Sequence, residues 1–145
     1  MTKLQTNKAD FHKLDRLLQQ RKWRESDRET KELMLKICNR EKEGWLLQDD
    51  YEYFPSEELR IIDELWTKYS NGHFGLSVQK KIWIDCGGSL GIRNDEVYEK
   101  FGDIVGWRRR GDWLTEPASE YIYRLDAPQG HLPDLTHLWH LFYRL

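Results

Sequence analysis

The stretch KYSNGHFGLSVQKKIW (residues 68–83) sets a helix stop and a helix start within sixteen positions. Ser70-Asn71-Gly72 is turn chemistry of the kind that closes a helix. Phe74-Gly75 reads as an exposed bend, and Ser77 opens a second helix carrying Val78, Ile82 and Trp83. Trp83 sits mid-helix beside Ile82 and is assigned to the core. Two readings stand for the aromatic residues around this break. One is a helix-to-helix corner that buries them; the other is the lip of a site for a large, flat, apolar ligand.

Helical spacing extends in both directions from this corner. Phe11, Leu14, Leu17 and Leu18 share one face of a helix predicted over residues 10–21. Ser26-Asp27-Arg28-Glu29 fits a capping box, and Leu33, Met34 and Ile37 then make the stripe of a second helix ending near Cys38. These two helices predict an antiparallel hairpin. Residues 39–55 read as a loop holding Trp45, Tyr51 and Phe54. Ser56 then caps a helix bearing Leu59, Ile62, Trp66 and Tyr69, with Glu57 and Glu58 in its first turn. Asn94 caps another, with Val97, Phe101, Ile104 and Val105. GWRRRGDWL (residues 106–114) is too glycine-broken for a long helix, and residues 121–125 alternate weakly like a strand. Asp134 is expected to cap a last helix with Leu135, Leu138, Trp139 and Phe142 on one face. The fold expected is all-α: one compact domain of about six to eight helices, residues 10–145, with irregular C-terminal loops. Residues 1–9 are read as a frayed tail.

The chain has 145 residues, enough for one domain with a real core, and a formal net charge of −2. That balance gives no global basic signal for nucleic acid. No apolar run approaches a membrane span, and MTKLQTNKAD at the start lacks a signal peptide's apolar segment. A cytoplasmic or plastid-stromal location is expected, with at most peripheral membrane association. Cys38 and Cys86 are too few for a disulfide framework. Seven Trp, seven Tyr and five Phe suit either an aromatic core or a pocket for a flat ligand.

No residue set reads as catalytic. Asp63 and Glu64 are adjacent in a helix and point about 100° apart, so they do not share a site. No nucleophile elbow, phosphate loop or dinucleotide fingerprint occurs. His137 and His140 stand three apart, but no carboxylate or cysteine completes a metal set. His131 lies in turn chemistry, open to a hydrogen-bonding or axial-ligand role or to none. The most suggestive cluster is Arg108-Arg109-Arg110 between Trp107 and Trp113. Cations there can meet carboxylates while the indoles offer flat faces. A solvated basic turn beside buried tryptophans is the plainer alternative.

Six ordered blocks then carry a resemblance. They are W-x-E-x-D-x-E-T from Trp23, REKEGWL from Arg40, FPSEELRIIDELW from Phe54, YSNGHFGLSVQKKIW from Tyr69, KFGDIVGWR from Lys100 and APQGHLP from Ala127. The chain resembles the genomes-uncoupled-four (Gun4-type) family of tetrapyrrole-binding regulators of magnesium chelatase in oxygenic phototrophs. The resemblance covers residues 11–133. It implies an all-helical fold with a concave apolar cradle for protoporphyrin IX or Mg-protoporphyrin IX, or in some relatives a bilin. It also implies a non-enzymatic activator whose partner is the chelatase's large porphyrin-binding subunit. The chain reads as the bare domain, without the helical segment that precedes it in several relatives.

On that resemblance, Phe74, Val78, Trp107, Trp113, Leu132 and Trp139 are expected to wall the cradle. Arg108 or a neighbouring arginine would take a propionate, His131 would lie at the ligand, and Cys86 is the candidate for covalent attachment. The chain departs from the family pattern at His73, where relatives carry Arg, at Leu76, where they carry Phe, and at Ser56, where a Cys commonly follows the proline. Its tail after Pro133 is shorter and more apolar. These departures leave a second reading: a bilin-binding or ligand-free signalling or adaptor module on the same fold.

Overall fold

The computed structural model describes residues 2–114 and 121–145. Among them are seven helices: α1 (His12–Gln19), α2 (Trp23–Ile37), α3 (Gln48–Glu52), α4 (Ser56–Tyr69), α5 (Leu76–Asp85), α6 (Asp95–Val105) and α7 (Leu138–Arg144). One antiparallel hairpin, β1 (Arg108–Arg109) and β2 (Asp112–Trp113), pairs Arg108 with Trp113. The fold is all-α, as the periodicity predicts.

Packing follows the apolar stripes. α1 lies against α2 and α4, α4 against α5, and α5 against both α6 and α7. The core is unusually aromatic. Trp66 is fully buried and stacks on Trp23 with 6.1 Å between ring centroids. Its indole N–H donates to Thr30 Oγ1 at 2.9 Å, so the ring's polar edge does not go unpaired. Trp83, also fully buried, meets Phe101, Trp139 and Phe142 at 5.9, 6.0 and 6.2 Å.

Several boundaries differ from the sequence expectation. α2 begins at Trp23 rather than at a Ser26 cap, because Trp23 is drawn into the core on Trp66. Ser26 is therefore interior to the helix and buried, and its Oγ donates back to the Lys22 carbonyl at 2.7 Å. Asp134 does not cap the last helix. α7 starts only after His137, whose left-handed backbone (φ 52°) breaks the spacing that Asp134 and Leu135 suggested. Residues 121–125 form no strand. The segment before Asp10 is tied down rather than frayed: Phe11 N–H donates to the Leu4 carbonyl at 2.7 Å, and Ala9 is buried. Residues 39–55 contain the short α3, anchored by buried Tyr51 and Phe54, while Trp45 stays 64% exposed. As expected, Asn94 caps α6, accepting from Val97 N–H at 3.1 Å.

The corner at residues 70–77 forms where the sequence placed it. Asn71 and Gly72 take the left-handed turn conformation after α4. Gly75 needs its φ of 126° and its missing Cβ, which would stand 2.6 Å from Thr67 Cγ2. Phe74 is not exposed, however. It is fully buried edge-on against Trp23 and Trp66, so the bend turns its ring into the core. The corner is clamped onto the loop of residues 127–133. Gly75 N–H donates to the Leu132 carbonyl, Gly130 N–H to the His73 carbonyl, and His73 Nε2–H to the Ala127 carbonyl at 2.6 Å. Gln79 Nε2 adds bonds to the Gly130 and Pro133 carbonyls. Two distant sequence blocks thus form one seam.

Candidate functional site

The seam positions an aromatic cleft on the C-terminal side of α6. His131 follows Gly130 in the clamped loop and is fully buried. Its Nδ1–H donates to the Val105 carbonyl at 2.7 Å, and its Nε2 accepts from Ile122 N–H at 3.0 Å. Both ring nitrogens are engaged. Burial, the largest influence, holds the imidazole below its usual pKa and favours the neutral form that these two bonds require. His131 therefore acts as a clip between α6 and the loop. Its carbonyl accepts from Trp107 Nε1 at 2.7 Å, which fixes the Trp107 indole.

Trp107, Trp113 and Tyr98 then face a cleft of about 360 Å³, whose other walls are Leu114, Tyr121, Asp134, Leu135 and Thr136. Tyr98 stands on α6, and its ring lies 4.4 Å from Trp113 and 5.6 Å from Trp139. Gly102, one turn along α6, makes the Trp113 position available. A Cβ there would lie 2.6 Å from the far edge of the Trp113 ring. Trp113 is only half-buried, at the end of a two-residue strand, so helix α6 supplies the flat surface that holds its ring.

Polar groups concentrate at one end of the cleft. Asp134 Oδ1 accepts from the Tyr121 hydroxyl at 3.1 Å, and its backbone N–H donates to Asp27 Oδ1 at 2.8 Å. Lys31 Nζ lies 3.4 Å from both carboxylates. Desolvation pushes the Asp27 carboxyl up to about 6 despite Lys31. A raised carboxyl contributes stability that is fully present below its unfolded value of 3.8 and lost as pH rises through about 6. That gap amounts to roughly 3 kcal/mol. Asp27→Asn keeps the acceptor for Asp134 N–H, so its stability relative to wild type is expected to rise between pH 4 and pH 7. Urea unfolding at the two pH values checks this; a difference that falls with pH refutes it. His131 acts in the opposite sense, since its contribution is present above the ordinary histidine range and lost on acidification.

Tyr121 also lines a second, open groove of about 800 Å³, with Trp23, Ile122 and Tyr123. Among the described residues its charged lining is Arg21, Lys22, Arg24, Arg109 and Arg124 with Glu25.

Of the residues the sequence singled out, Trp107 and Trp113 meet in the aromatic cleft. Val78 lines a separate cleft of about 310 Å³ with Gly72, Lys81 and Gln129. Phe74, Leu132 and Trp139 are core residues, and Trp139 backs the cleft through Tyr98. Arg108 turns to α6, its Nη1 reaching both Asp103 oxygens at 3.1 Å. Cys86 lines none of these clefts, and burial pushes its thiol up, away from the reactive thiolate. Of the groove arginines only Arg109 was singled out, within the Arg108-Arg109-Arg110 run; Tyr98, Tyr121, Arg21, Arg24 and Arg124 were not. Together with Arg109 they come from four separated segments, and only the alternation at residues 121–125 hinted at a shared wall.

A GUN4-like family model matches residues 4–143. The chain belongs to the GUN4-like family. This GUN4-like chain superposes on a structure of GUN4 from Chlamydomonas reinhardtii with a TM-score of 0.78 at 30% identity, covering 98% of this chain and 90% of that one. A ligand-free Arabidopsis thaliana GUN4 gives 0.74 at 27% identity, covering 97% and 93%. In sequence it is 32% identical over 136 residues to an Arabidopsis chloroplastic tetrapyrrole-binding protein, covering 85% of this chain and 47% of that protein. It is 36% identical over 94 residues to a Ycf53-like protein of Synechocystis, covering 65% and 36%. The chain thus spans less than two thirds of these curated relatives. Among the described residues, no helix is long and apolar enough to cross a membrane, and no three metal-ligating side chains converge.

Proposed function

We propose that the chain binds a tetrapyrrole, protoporphyrin IX or Mg-protoporphyrin IX, in the Trp107–Trp113 cleft. It acts there without catalysis, as a regulator that activates magnesium chelatase through the large porphyrin-binding subunit in a cyanobacterial cytoplasm or a plastid stroma. The observation that carries this reading is the pair of indoles and the Tyr98 ring converging on one cleft in a GUN4-like chain. A porphyrin is a rigid, largely apolar plate, and each 100 Å² of it buried contributes about 2.5 kcal/mol. Few placed polar groups are then needed to orient it.

The departure at His73 favours a second reading. Its imidazole donates to the Ala127 carbonyl, a bond within the seam that ties the ring to residues 127–133. A bilin-binding or adaptor module on the same fold is consistent with that.

Parallel titrations with deuteroporphyrin IX, its magnesium complex and biliverdin separate the readings. Saturable Soret shifts and tryptophan quenching with the two porphyrins at micromolar ligand are expected, and the loaded chain should raise the metal-insertion rate of reconstituted magnesium chelatase. Saturable binding of biliverdin alone would favour the second reading, and no binding of any of the three would refute the tetrapyrrole site.

A further inference from the structure

We propose that His131 is the positioning residue of the aromatic cleft, and that a proton arriving on its Nε2 loosens the site and weakens its hold on the ligand. The inference rests on the tetrapyrrole reading and adds to it a regulation of the same site by acidification.

The hydrogen bonds around the ring admit one protonation state. Nδ1 faces the Val105 carbonyl at 2.7 Å, which only accepts, so Nδ1 carries the hydrogen. Nε2 faces the Ile122 N–H at 3.0 Å, which only donates, so Nε2 is bare. A second proton would set one N–H against another inside a fully buried site and leave both without an acceptor. His73, packed on the same loop, behaves otherwise. Its ring donates to the Ala127 carbonyl, and an imidazolium makes that bond as well as a neutral ring does. Acidification therefore spares the bond at His73 and breaks the one at His131.

What His131 holds are walls of the cleft. Ile122 follows Tyr121, and Tyr121 and Trp107 both line the cleft. The Tyr121 ring lies 5.3 Å from the imidazole, and the Trp107 indole N–H donates to the His131 carbonyl at 2.7 Å. One residue thus sets the spacing between the Tyr121 wall and the Trp107 wall. The surroundings give an imidazolium little relief. Arg109 on β1 opposes the charge. Asp134 in the same loop favours it, but already accepts from the Tyr121 hydroxyl and lies 3.4 Å from Lys31. Val105 and Gly106, where α6 ends against the ring, have no titratable side chain. Asp27 on α2 reaches the loop through the Asp134 N–H and changes charge in a neighbouring pH range, so the test separates it. Residues 121–122 accommodate the extra proton by moving away from the ring, which opens the cleft on that side.

Deuteroporphyrin IX is titrated into wild type, Asp27→Asn and His131→Gln from about pH 8 to about pH 5.5. The glutamine amide keeps a donor and an acceptor without a titratable proton. Any loss of affinity in His131→Gln reports the ligand's own titration. Wild type and Asp27→Asn should lose roughly tenfold more than that over the same range. Binding and protonation are reciprocal, so the His131 imidazole nitrogen NMR signals should titrate about one pH unit lower in porphyrin-loaded wild type than in the free protein. The Trp107 indole N–H signal of the free protein should move with the His131 midpoint. Equal pH profiles for wild type and His131→Gln, or a His131 midpoint indifferent to the porphyrin, would overturn the inference while the tetrapyrrole reading stands. An acid loss that vanishes in Asp27→Asn would assign the effect to Asp27 and overturn it too. Should His131→Gln not fold, the midpoint shift in wild type decides alone. Failure of wild type to bind the porphyrin at any pH would overturn the tetrapyrrole reading, and the inference with it.

Discussion

Trp83→Ala is expected to cost about 3–5 kcal/mol of folding stability, the range for removing a large buried aromatic. Trp83 is fully buried at the point where α5, α6 and α7 meet, with Phe101, Trp139 and Phe142 around its ring. Its Nε1–H donates to the Ser89 carbonyl at 3.0 Å, so truncation also strands an acceptor in the loop after α5. No neighbouring element has slack to close the void, because each ring is held by another ring. For a domain of this length the melting temperature should fall by roughly 10 °C or more. A fall of only about 2 °C would mean that the three helices do not share this centre.

Trp113→Ala is expected to leave stability nearly unchanged and to weaken porphyrin binding by roughly ten- to a hundredfold. The contrast with Trp83 follows from position. Trp113 is half-buried on a two-residue strand, so little of the core rests on it. Its ring, 4.4 Å from Tyr98 and over Gly102, is instead one face of the cleft. A central aromatic anchor in a binding site typically contributes about 2 kcal/mol, where 1.4 kcal/mol is tenfold in affinity. The same geometry gives Gly102 an indirect role, because any larger residue there displaces the Trp113 ring.

Much of this fold is legible in the sequence for a physical reason. The stripes of α4 and α6 repeat at helical spacing over three turns, and Asn94 and the Ser70-Asn71-Gly72 stop use side-chain and backbone chemistry that is local. What the sequence hides is set by tertiary contact. Ser26 looks like a cap until Trp23 is seen to be claimed by Trp66. Phe74 looks exposed beside two glycines until the bend is seen to point inward. The β1–β2 hairpin is too short for any alternation to register. For the site, Trp107 and Trp113 stood out because indoles flanked an arginine run. The groove did not, because its cations are scattered over about a hundred positions and meet only in the fold.

The most direct test of the aromatic cleft as the tetrapyrrole site is a Soret-band titration of wild type and Trp113→Ala side by side with deuteroporphyrin IX. The melting temperature of each protein is recorded in the same buffer. The expected result is saturable micromolar binding by wild type and binding at least roughly tenfold weaker by a variant that melts within a few degrees of it. Equal affinity in two equally folded proteins would place the ligand elsewhere and contradict the assignment.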